Sequence, residues 1–393
     1  MTGLPEIRGW CPGALRPMAS GDGLVVRLRP PLGRLTAAQA AAIAEASVSH
    51  GNGILDLSSR ANLQLRGVTD SSHAALIESL RRHDLIDPDI RTETLRNLIV
   101  TPFRDPTPKH DPQHQSGESI DALAATLTSA LAGLPHLPGK FGFALDCGPR
   151  PVLTAASADV RVERAADGRL ILRPDGYPLG RPVGDLAAEV RDLVTWFLAA
   201  GGVQDGRGRM AALIARGYVP PGCDTAPAAA LPQPAPGLCA AGALVALAFG
   251  QMQAATLAAL ASLGHDIRLT PWRMLLLAGA VGLPTLPGLI IDPADPLLRV
   301  TACTGAPGCP QARGETRALA RRLAPHLPQD LHLHVSGCAK GCAHPVAAHL
   351  ALVASGAGYD LIRDGKASDT PHLRNLTPAM ILDHLKALHA PSL

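Results

Sequence analysis

The fold is decided by a stretch that reads Leu32-Gly-Arg-Leu-Thr-Ala-Ala-Gln-Ala-Ala-Ala-Ile-Ala44. It aligns without gaps to a second stretch, Phe249-Gly-Gln-Met-Gln-Ala-Ala-Thr-Leu-Ala-Ala-Leu-Ala261. Each copy predicts a helix, and each is preceded by a β-rich run at residues 23–29 or 243–249. The chain therefore contains a diverged internal repeat, and whatever fold one copy adopts is expected twice.

The two copies realign further along, where short β-rich runs match. In the alignment, Leu55-Asp-Leu57 corresponds to Ile267-Arg-Leu269, and Leu63-Gln-Leu65 corresponds to Leu275-Leu-Leu277. Strand–helix–strand–strand is half of a ferredoxin-like α+β unit. We therefore predict an internally duplicated α+β fold, in which two ferredoxin-like halves pair around a pseudo-two-fold axis.

A longer α/β region follows each half and completes the predicted domain organisation. After the first half, residues 152–154, 160–163 and 169–172 alternate as strands, and residues 186–198 form an amphipathic pattern typical of a helix. Proline-rich sequence at 219–237 predicts a linker. The predicted units are a first ferredoxin-like half-domain at 1–88, an α/β domain at 89–218, the linker at 219–237, a second ferredoxin-like half-domain at 238–294, and a second α/β domain at 295–393.

Four cysteines in the last predicted domain have the spacing of a metal-cluster site. Cys303 and Cys309 form a C-x5-C pair, and Cys338 and Cys342 form a C-x3-C pair after a gap of 28 residues. Both pairs lie in glycine-rich sequence, which lets the backbone approach a 4Fe-4S cluster closely. Structural zinc and paired disulfides are the alternatives, but zinc pairs usually space their ligands by two to four residues. The remaining cysteines, Cys11, Cys147, Cys223 and Cys239, share no ligand spacing.

The overall composition excludes several broad classes of partner. The formal net charge is +3, from 36 basic and 33 acidic residues, which is too balanced to predict binding to nucleic acid or to a membrane surface. We see no signal peptide pattern at the N-terminus. Residues 274–291 lack charge but contain Pro284 and Pro287, so they predict a buried strand with a turn and not a membrane span. Cytoplasm is the predicted compartment, where reduced thiols suit a cluster.

One strand of the first repeat has a polar face that the second repeat lacks. The period-two alternation puts four polar side chains on one face: Arg60, Asn62, Gln64 and Arg66. The matching positions of the second copy include Trp272, Met274 and Leu276. A solvent-facing strand would also give this pattern. The functional interpretation is that the first half supplies polar contacts to a ligand while the second half holds the cluster.

These residues together resemble the sulfite/nitrite reductase superfamily. Its cluster signature is C-x5-C…C-x3-C, and three further segments look like its substrate-site segments: Ser59-Arg60-Ala61-Asn62-Leu63-Gln64-Leu65-Arg66-Gly67-Val68, Leu95-Arg96-Asn97-Leu98-Ile99 and Leu137-Pro138-Gly139-Lys140-Phe141. The resemblance implies that Arg60, Arg96 and Lys140 converge on the substrate beside a siroheme. Gly142 departs from the pattern, because the reductases place a second polar residue there, so the pocket is incomplete for sulfite or nitrite.

Within the superfamily the closest resemblance is to the precorrin-3B synthases of aerobic cobalamin biosynthesis. The runs that carry it are Arg8-Gly-Trp-Cys-Pro-Gly13, Pro17-Met-Ala-Ser-Gly-Asp-Gly-Leu-Val-Val-Arg27 and the two cysteine blocks. The resemblance implies a dioxygen-dependent monooxygenase that hydroxylates precorrin-3A and closes a γ-lactone. It also implies a 4Fe-4S cluster and a mononuclear non-haem iron, with the tetrapyrrole bound as substrate where the relatives hold siroheme.

The predicted site follows from the carboxylates of such a substrate. Inward-facing cations and amides would bind them, and the predicted contacts are Arg60, Asn62, Gln64, Arg66, Arg96 and Lys140. Of these, Arg60, Asn62, Arg96 and Lys140 are the predicted catalytic residues. The chain has no G-x-G-x-x-G after a strand, so we expect a separate electron-donor reductase even if NADH is the ultimate donor.

The ligands of the mononuclear iron are left open by the sequence. Non-haem iron sites commonly use two histidines and one carboxylate. Lys109-His110-Asp111-Pro-Gln-His114 has these residue types on one predicted loop. His332 and His334 share one side of a predicted strand, and His344 follows the last cysteine of the cluster motif.

Two other functions remain open at this stage. One is a siroheme-dependent sulfite or nitrite reductase, which Gly142 disfavours. The other is a non-catalytic protein, either an iron–sulfur electron carrier or a tetrapyrrole carrier, which would bind the same groups without turnover.

Overall fold

The computed structural model describes residues 12–104, 119–148 and 150–388. Within these residues the chain forms four sheets, two for each half of the sequence repeat. None of the described helices has both the length and the apolar composition needed to cross a membrane. The predicted iron ligands His110 and His114, together with Arg8 and Cys11, lie outside the described residues.

The first half begins with an antiparallel sheet backed by two helices. Its strand order is β1-β2-β5-β4-β13, so the last strand comes from the second half of the chain. The elements of this part of the chain are β1 (Met18–Ser20), β2 (Gly23–Leu28), β3 (Arg34–Leu35), α1 (Ala37–His50), β4 (Ile54–Leu57), β5 (Leu63–Val68), α2 (Asp70–Arg81) and α3 (Ile90–Leu95). Strand β13 (Gln251–Gln253) comes from the second half, where it follows β11 (Gly237–Cys239) and β12 (Gly242–Leu247).

The second sheet follows in the chain and has the order β10-β9-β8-β7-β6. Strands β6, β7 and β8 run parallel, and β9 and β10 are antiparallel to their neighbours. The elements are β6 (Leu98–Val100), α4 (Ile120–Ala132), β7 (Phe143–Asp146), β8 (Val160–Arg164), β9 (Leu170–Pro174), β10 (Arg181–Pro182), α5 (Leu186–Ala199) and α6 (Met210–Ala215).

The second half repeats both arrangements. Its first sheet has the order β11-β12-β15-β14-β3 with β16 beside β12, and its second has the order β17-β18-β19-β20-β21. The remaining elements are α7 (Ala254–Ser262), β14 (Ile267–Leu269), β15 (Met274–Ala278), β16 (Leu289–Ile290), β17 (Val300–Ala302), α8 (Arg317–Leu323), β18 (Leu333–Ser336), β19 (Ala348–Ala354), β20 (Tyr359–Gly365), β21 (Leu373–Leu376) and α9 (Pro378–Ala387).

The two ferredoxin-like halves exchange short strands, which joins them into one body. Strand β3 pairs with β14 of the other half, with Leu35 opposite Ile267. Reciprocally, β13 pairs with β4, with Met252 opposite Leu55. Helices α1 and α7 pack together, and the buried residues of both halves form a single hydrophobic cluster. The predicted duplication is thus present in three dimensions.

The repeat extends to unusual backbone positions. A short 3-10 turn precedes each exchanged strand, and its central residue has a positive φ in both copies, 54° at Leu32 and 60° at Phe249. Ala61 and Arg273 also match, with φ of 53° and 61° at the start of the strand that follows. Positive φ is uncommon for non-glycine residues. Its recurrence at aligned positions supports a common origin for the two halves.

The helix α1 begins where its sequence provides a cap. The Thr36 hydroxyl accepts a hydrogen bond from the Gln39 backbone N–H at 3.2 Å, and the Gln39 side chain accepts one from the Thr36 N–H at 3.0 Å. This reciprocal capping box satisfies two N–H groups that a helix start leaves open. The helix then buries Ala40, Ile43 and Ala44 in the shared core.

Two predicted strand assignments are wrong. The strand expected from residue 59 begins only at Leu63, because Ser58 to Asn62 forms a tight turn in which Ala61 has a positive φ. The Ser58 hydroxyl accepts from the backbone N–H groups of Arg60 and Asn62 there. Residues 152–154 form a loop and not a strand. The buried Asp146 carboxylate accepts from the N–H groups of Val152 and Leu153 at 2.7 and 2.6 Å, which replaces ladder pairing.

Candidate functional site

The four cysteines of the motif lie on two loops that follow neighbouring strands. Cys303 follows β17 and Cys338 follows β18, and these strands run parallel with Ala302 opposite Val335. Because parallel strands end at the same edge of a sheet, the two loops meet there. The Gly337 N–H donates to the Cys303 sulfur at 3.2 Å, so the second loop contacts a thiol of the first.

The cysteine loops have internal support that fixes their path. The Cys309 N–H donates to the Gly305 carbonyl at 2.8 Å, and the Thr316 hydroxyl donates to the Cys303 carbonyl at 2.6 Å. Gly305 has a φ of 69°, and a side chain there would collide with the Thr316 hydroxyl. Glycine is therefore required at this turn, because only glycine tolerates both conditions without strain.

The thiols interact with one another electrostatically. The Cys342 thiol and the backbone N–H groups of Gly337 and Gly305 stabilise a negative Cys303 sulfur, which lowers the pKa of Cys303 to about 5. The same contact raises the pKa of Cys342, and burial adds to that shift. Thiolate is the form that ligates metals. The loops thus already favour negative sulfur at one of the four positions.

The donor set fits an iron–sulfur cluster better than a single metal ion. The four cysteines are free and at least partly exposed, with Cys342 the most open. In the described part of the chain no three His, Cys, Asp or Glu side chains already surround a point as the ligands of one metal ion would. A cubane cluster needs four thiolates and backbone donors to sulfur. These loops offer four free cysteines and the Gly337 N–H donor to the Cys303 sulfur.

Arg60 contacts a group of polar residues in the first half of the molecule. Its guanidinium donates to the Lys140 carbonyl at 3.1 Å and to the Ser157 hydroxyl at 3.0 Å. Arg209 donates to the same Ser157 hydroxyl at 3.2 Å. Lys140 itself is exposed. The structure thus places the Arg60 guanidinium against the backbone of Lys140 and adds Arg209. The convergence of the Lys140 ammonium with Arg60 on a ligand stays a prediction.

Arg209 was missed by the sequence analysis. It immediately precedes α6, and its guanidinium pairs with the fully buried Asp159 carboxylate at 2.8 Å. Burial raises the pKa of Asp159, and the charge of Arg209 opposes that shift. The only local signal is the run Gly206-Arg-Gly-Arg-Met210, in which two arginines alternate with glycine before an apolar helix. Such a run does not by itself distinguish a site residue from a solvated one.

Gly142 has a steric reason to lack a side chain. A Cβ atom there would lie 2.7 Å from the Asn97 amide nitrogen and 3.1 Å from a guanidinium nitrogen of Arg60. Its backbone N–H donates to Asp159 at 2.9 Å, so the backbone cannot easily move away. The place that a second polar residue would take is filled by Arg60 and Asn97.

Arg66 is buried and its donors are engaged within the protein. It forms a two-point contact with Asp22 at 2.7 and 2.8 Å, and it donates to Asp56 at 3.3 Å. It also donates to the Ser20 hydroxyl and to the Gly308 carbonyl, each at 3.0 Å. The Gly308 contact joins the polar strand directly to the first cysteine loop. The ligand contact expected of Arg66 stays a prediction.

Asp56 extends this network to the helix between the cysteine loops. Its carboxylate contacts Arg317 of α8 at 2.9 Å as well as Arg66. Burial would lower the pKa of Arg66, but the hydrogen bonds and charges of Asp22 and Asp56 raise it above its usual value. A carboxylate between two arginines therefore connects the first half to the cluster loops, and the sequence pattern did not reveal it.

The remaining predicted contacts are distributed around the same turn. Arg96 makes a two-point contact with Asp87 at 2.7 and 2.8 Å and donates to the Arg29 carbonyl at 2.6 Å. Asn62 is buried and lines a cavity of about 60 Å³ together with Arg96. The Gln64 carbonyl oxygen, in its better amide orientation, accepts from Arg27 at 2.6 Å. The roles predicted for Asn62, Gln64 and Arg96 toward a ligand stay predictions.

Three histidines gather beside the second cysteine loop. The rings of His332 and His344 have centroids 4.6 Å apart, and those of His334 and His344 are 5.5 Å apart. Burial, together with the neighbouring His344, lowers the pKa values of His332 and His334 to about 4. Both imidazoles are therefore neutral at physiological pH, which is the form that can accept a proton or ligate a metal.

A cavity of about 510 Å³ opens next to these histidines. Its lining includes Ser59 of the first half, Trp272 and Arg273 of the second, and the rings of His332 and His344. Arg273 donates to the Ala343 carbonyl at 3.1 Å, which holds the second cysteine loop against the cavity. The cavity thus lies between the turn that carries Arg60 and the loop that carries Cys342.

Comparison with known proteins identifies similar sequences and a similar fold. The nitrite/sulfite reductase ferredoxin-like half domain matches residues 16–83. A precorrin-3B synthase from a Sinorhizobium species is 32% identical over 404 residues, which covers 93% of this chain and 84% of that protein. The structure of the Mycobacterium tuberculosis NirA protein matches with a TM-score of 0.60 at 17% identity, covering 92% of this chain and 79% of that one. The predicted sulfite/nitrite reductase-like fold is confirmed.

Proposed function

The chain belongs to the precorrin-3B synthase family, within the sulfite/nitrite reductase superfamily, and from that premise we propose that it hydroxylates precorrin-3A in cobalamin biosynthesis. The proposed enzyme is a cytoplasmic monooxygenase that takes one oxygen atom from dioxygen and closes the γ-lactone of precorrin-3B. The observation that carries the proposal is the 32% identity that spans 93% of the chain. The cavity between the turn that carries Arg60 and the loop that carries Cys342 supports it, because Ser59 lines one side and Ala343 and His344 the other.

Carboxylate recognition is the task that the first half is suited to perform. Arg60 and Arg209 share the Ser157 hydroxyl, and Arg60 also donates to the backbone carbonyl of the exposed Lys140. Guanidinium groups bind carboxylates through two parallel hydrogen bonds, and an ammonium binds them as a point charge. We propose that these three cations hold the acetate and propionate groups at one edge of the tetrapyrrole.

Electron supply is the task that we propose for the cysteine loops. Cys303, Cys309, Cys338 and Cys342 would hold a 4Fe-4S cluster, which when bound supplies electrons singly to the site where dioxygen reacts. Arg66 of β5 and Arg317 of α8 both contact the Asp56 carboxylate of β4, which connects this sheet to the helix between the cysteine loops. The electrons would come from a separate reductase fed by NADH, because no dinucleotide-binding motif is present in the sequence.

The direct experiment is turnover of precorrin-3A. The purified protein, given substrate, dioxygen and a reductase that draws on NADH, should yield a product heavier by one oxygen atom in a mass spectrum. NADH without the reductase should support little turnover. A tetrapyrrole carrier would return the substrate unchanged, and fast turnover with NADH alone would remove the need for a donor protein.

A siroheme-dependent reductase is the alternative, and the crowding at Gly142 disfavours it. A side chain at this position would have to displace the Asn97 amide and the Arg60 guanidinium, which lie 2.7 and 3.1 Å from where its Cβ atom would be. The visible spectrum of the purified protein separates the two functions. We expect the broad absorbance of an iron–sulfur cluster, whereas strong Soret-type bands would indicate bound siroheme.

Replacing Arg60 by alanine should weaken substrate binding more than it affects folding. Hydrogen bonds to charged groups contribute about 1.5–3 kcal/mol, so the dissociation constant for precorrin-3A should rise about tenfold to a hundredfold. Absorbance titration of the tetrapyrrole measures it. Arg169→Ala is the control, because Arg169 is 62% exposed and pairs only with the exposed Asp167 among the described contacts. Equal affinities for the two variants would exclude Arg60 from the substrate site.

A further inference from the structure

Arg273 occupies a backbone position that does not favour an arginine. Its φ is 61°, and it stands at the place in the second repeat that Ala61, with a φ of 53°, takes in the first. For most residues other than glycine this left-handed conformation costs about 1–3 kcal/mol. Both copies keep the strained turn, but only the second places a long cation on it, so the side chain of Arg273 needs an explanation of its own.

The Arg273 side chain extends toward the second cysteine loop. Its stem packs over Gly250, where an added Cβ atom would lie 3.2 Å from the Arg273 Cγ atom. Its guanidinium donates to the Ala343 carbonyl at 3.1 Å, and Ala343 directly follows Cys342. The side chain of this half-buried residue therefore reaches from the second ferredoxin-like half to the backbone of the C-x3-C pair.

The charge of Arg273 is not neutralised by a direct ion pair. Among the residues that the structure describes, no carboxylate lies within salt-bridge distance of its guanidinium, in contrast to the ion-paired Arg66. Burial and the charge of Arg317 lower the pKa of Arg273. The charges of Asp56 and Cys342 oppose that shift. The Cys342 sulfur is thus within electrostatic reach of a cation that no described carboxylate contacts directly.

We propose that Arg273 is a positioning residue for the iron–sulfur cluster, which holds the second cysteine loop in place and makes the cluster easier to reduce. A cluster held by four thiolates is negatively charged, and reduction adds an electron, which the donor reductase of the proposed function supplies. A nearby cation stabilises the more negative, reduced form, and the interaction is stronger where water is largely excluded. This inference rests on the cluster of the proposed function and extends that function to the driving force for electron transfer.

Arg273 differs in this role from the arginine that contacts the first cysteine loop. Arg66 donates to the Gly308 carbonyl of that loop, but two carboxylates compensate its charge. The second loop is contacted by a cation that has no carboxylate partner in the described ranges of the chain. The field on the Cys342 side of the cluster should therefore depend on Arg273 more than on Arg66.

The midpoint potential of the reconstituted cluster, measured in the whole protein without tetrapyrrole, tests the proposal. Arg273→Gln keeps a side-chain donor for the Ala343 carbonyl but removes the charge. The equilibrium constant for one-electron reduction should fall about tenfold, which lowers the potential by about 59 mV. A redox titration that follows the electron paramagnetic resonance signal of the reduced cluster measures this value. Omission of the tetrapyrrole excludes any effect through ligand binding.

Two further variants separate the charge of Arg273 from its structural contact. Arg273→Lys keeps the charge, so its potential should stay close to the native value, whereas a merely structural role would change the potential in both Arg273 variants. Arg374→Gln is the matched control, because Arg374 lies in the same α/β domain as the cysteines, is 63% exposed and pairs with Asp360 at 3.6 Å. Solvent and salt screen such a charge, so the potential should not move.

A native potential in Arg273→Gln would overturn the proposal, and so would an equal fall in Arg273→Gln and Arg273→Lys. If Arg273→Gln assembled no cluster, Arg273→Lys would decide: a native potential there supports the proposal, and failure to assemble in both variants overturns it. Native protein that binds no reducible cluster would contradict the cluster of the proposed function and this inference with it. An unchanged potential in variants that still turn over precorrin-3A would remove this inference alone.

Discussion

Cys309→Ser is expected to give a protein that folds but contains no complete cluster and turns over no precorrin-3A above background. Serine keeps the shape of cysteine but replaces a soft thiolate by a hard hydroxyl, which is a poor ligand for an iron–sulfur cluster. The loop itself should persist, because the Cys309 backbone N–H, and not its side chain, bonds to the Gly305 carbonyl at 2.8 Å. Iron content, acid-labile sulfide and broad visible absorbance should fall together with turnover.

Cys239→Ser is the matched control for that experiment. Cys239 is an exposed free cysteine in β11, outside the two cysteine loops. The same chemical change there should leave cluster content and turnover unchanged, with a stability effect within about 0.5 kcal/mol. If Cys309→Ser retained a full complement of iron and sulfide, the four cysteines would not be the cluster ligands and the electron-supply role of this domain would be wrong.

Arg66→Ala is expected to produce the largest loss of stability of any single change among the predicted ligand contacts. The substitution leaves Asp22 without its buried cation and leaves Asp56 with Arg317 alone, and it removes donors to Ser20 and Gly308. Breaking a buried ion pair by removing one partner costs about 3–5 kcal/mol, because the remaining charge stays buried. The free energy of unfolding from denaturant titration measures this, and cluster reconstitution should become slower as the Gly308 contact is lost.

Two further variants make the Arg66 result specific. Arg81→Ala removes an exposed arginine that pairs with Glu78 at 3.0 Å on α2, and its cost should stay below about 1 kcal/mol. Arg66→Lys keeps the charge but cannot make the two-point contact with Asp22, so its stability should lie between those of the native chain and Arg66→Ala. If Arg66→Ala lowered the free energy of unfolding by less than about 1 kcal/mol, this network would not be what holds the first cysteine loop to β5.

The features that could be predicted from the sequence are those that depend on patterns among residues close together in the chain. The gapless alignment of Leu32–Ala44 with residues 249–261 predicted the duplication, and the structure repeats it down to the positive φ angles of Leu32 and Phe249. Cysteine spacing predicted two loops that meet, and β17 and β18 bring them to one sheet edge. Both signals depend on nearby residues and not on which distant segments pair.

The features that the sequence did not reveal depend on distant contacts. The exchange of β3 and β13 between halves pairs Leu35 with Ile267, and no local pattern distinguishes such a partner. Strand alternation placed Arg66 among the ligand contacts, yet its guanidinium meets Asp22 and Gly308, 44 and 242 residues away in the chain. Alternation assigns a side chain to one face of a strand. It does not say whether another part of the protein already occupies that face.

The contact among His332, His334 and His344 could also be predicted only in part from the sequence. His332 and His334 were expected on one side of a strand; His334 lies in β18, whereas His332 immediately precedes it. That His344 would pack against both rings could not be predicted, because the turn after Cys342 that brings it back is a tertiary feature. Sequence thus supplied the candidate ligands, and the structure supplied the reason to group them.

The most direct test of the central claim, that this chain oxygenates a tetrapyrrole, is turnover of precorrin-3A under isotopically heavy dioxygen. The account predicts a product that carries one heavy oxygen atom, formed only when dioxygen, a reducing partner and the intact cysteine loops are present. Substrate recovered unchanged under these conditions, or a product whose new oxygen comes from water, would contradict it.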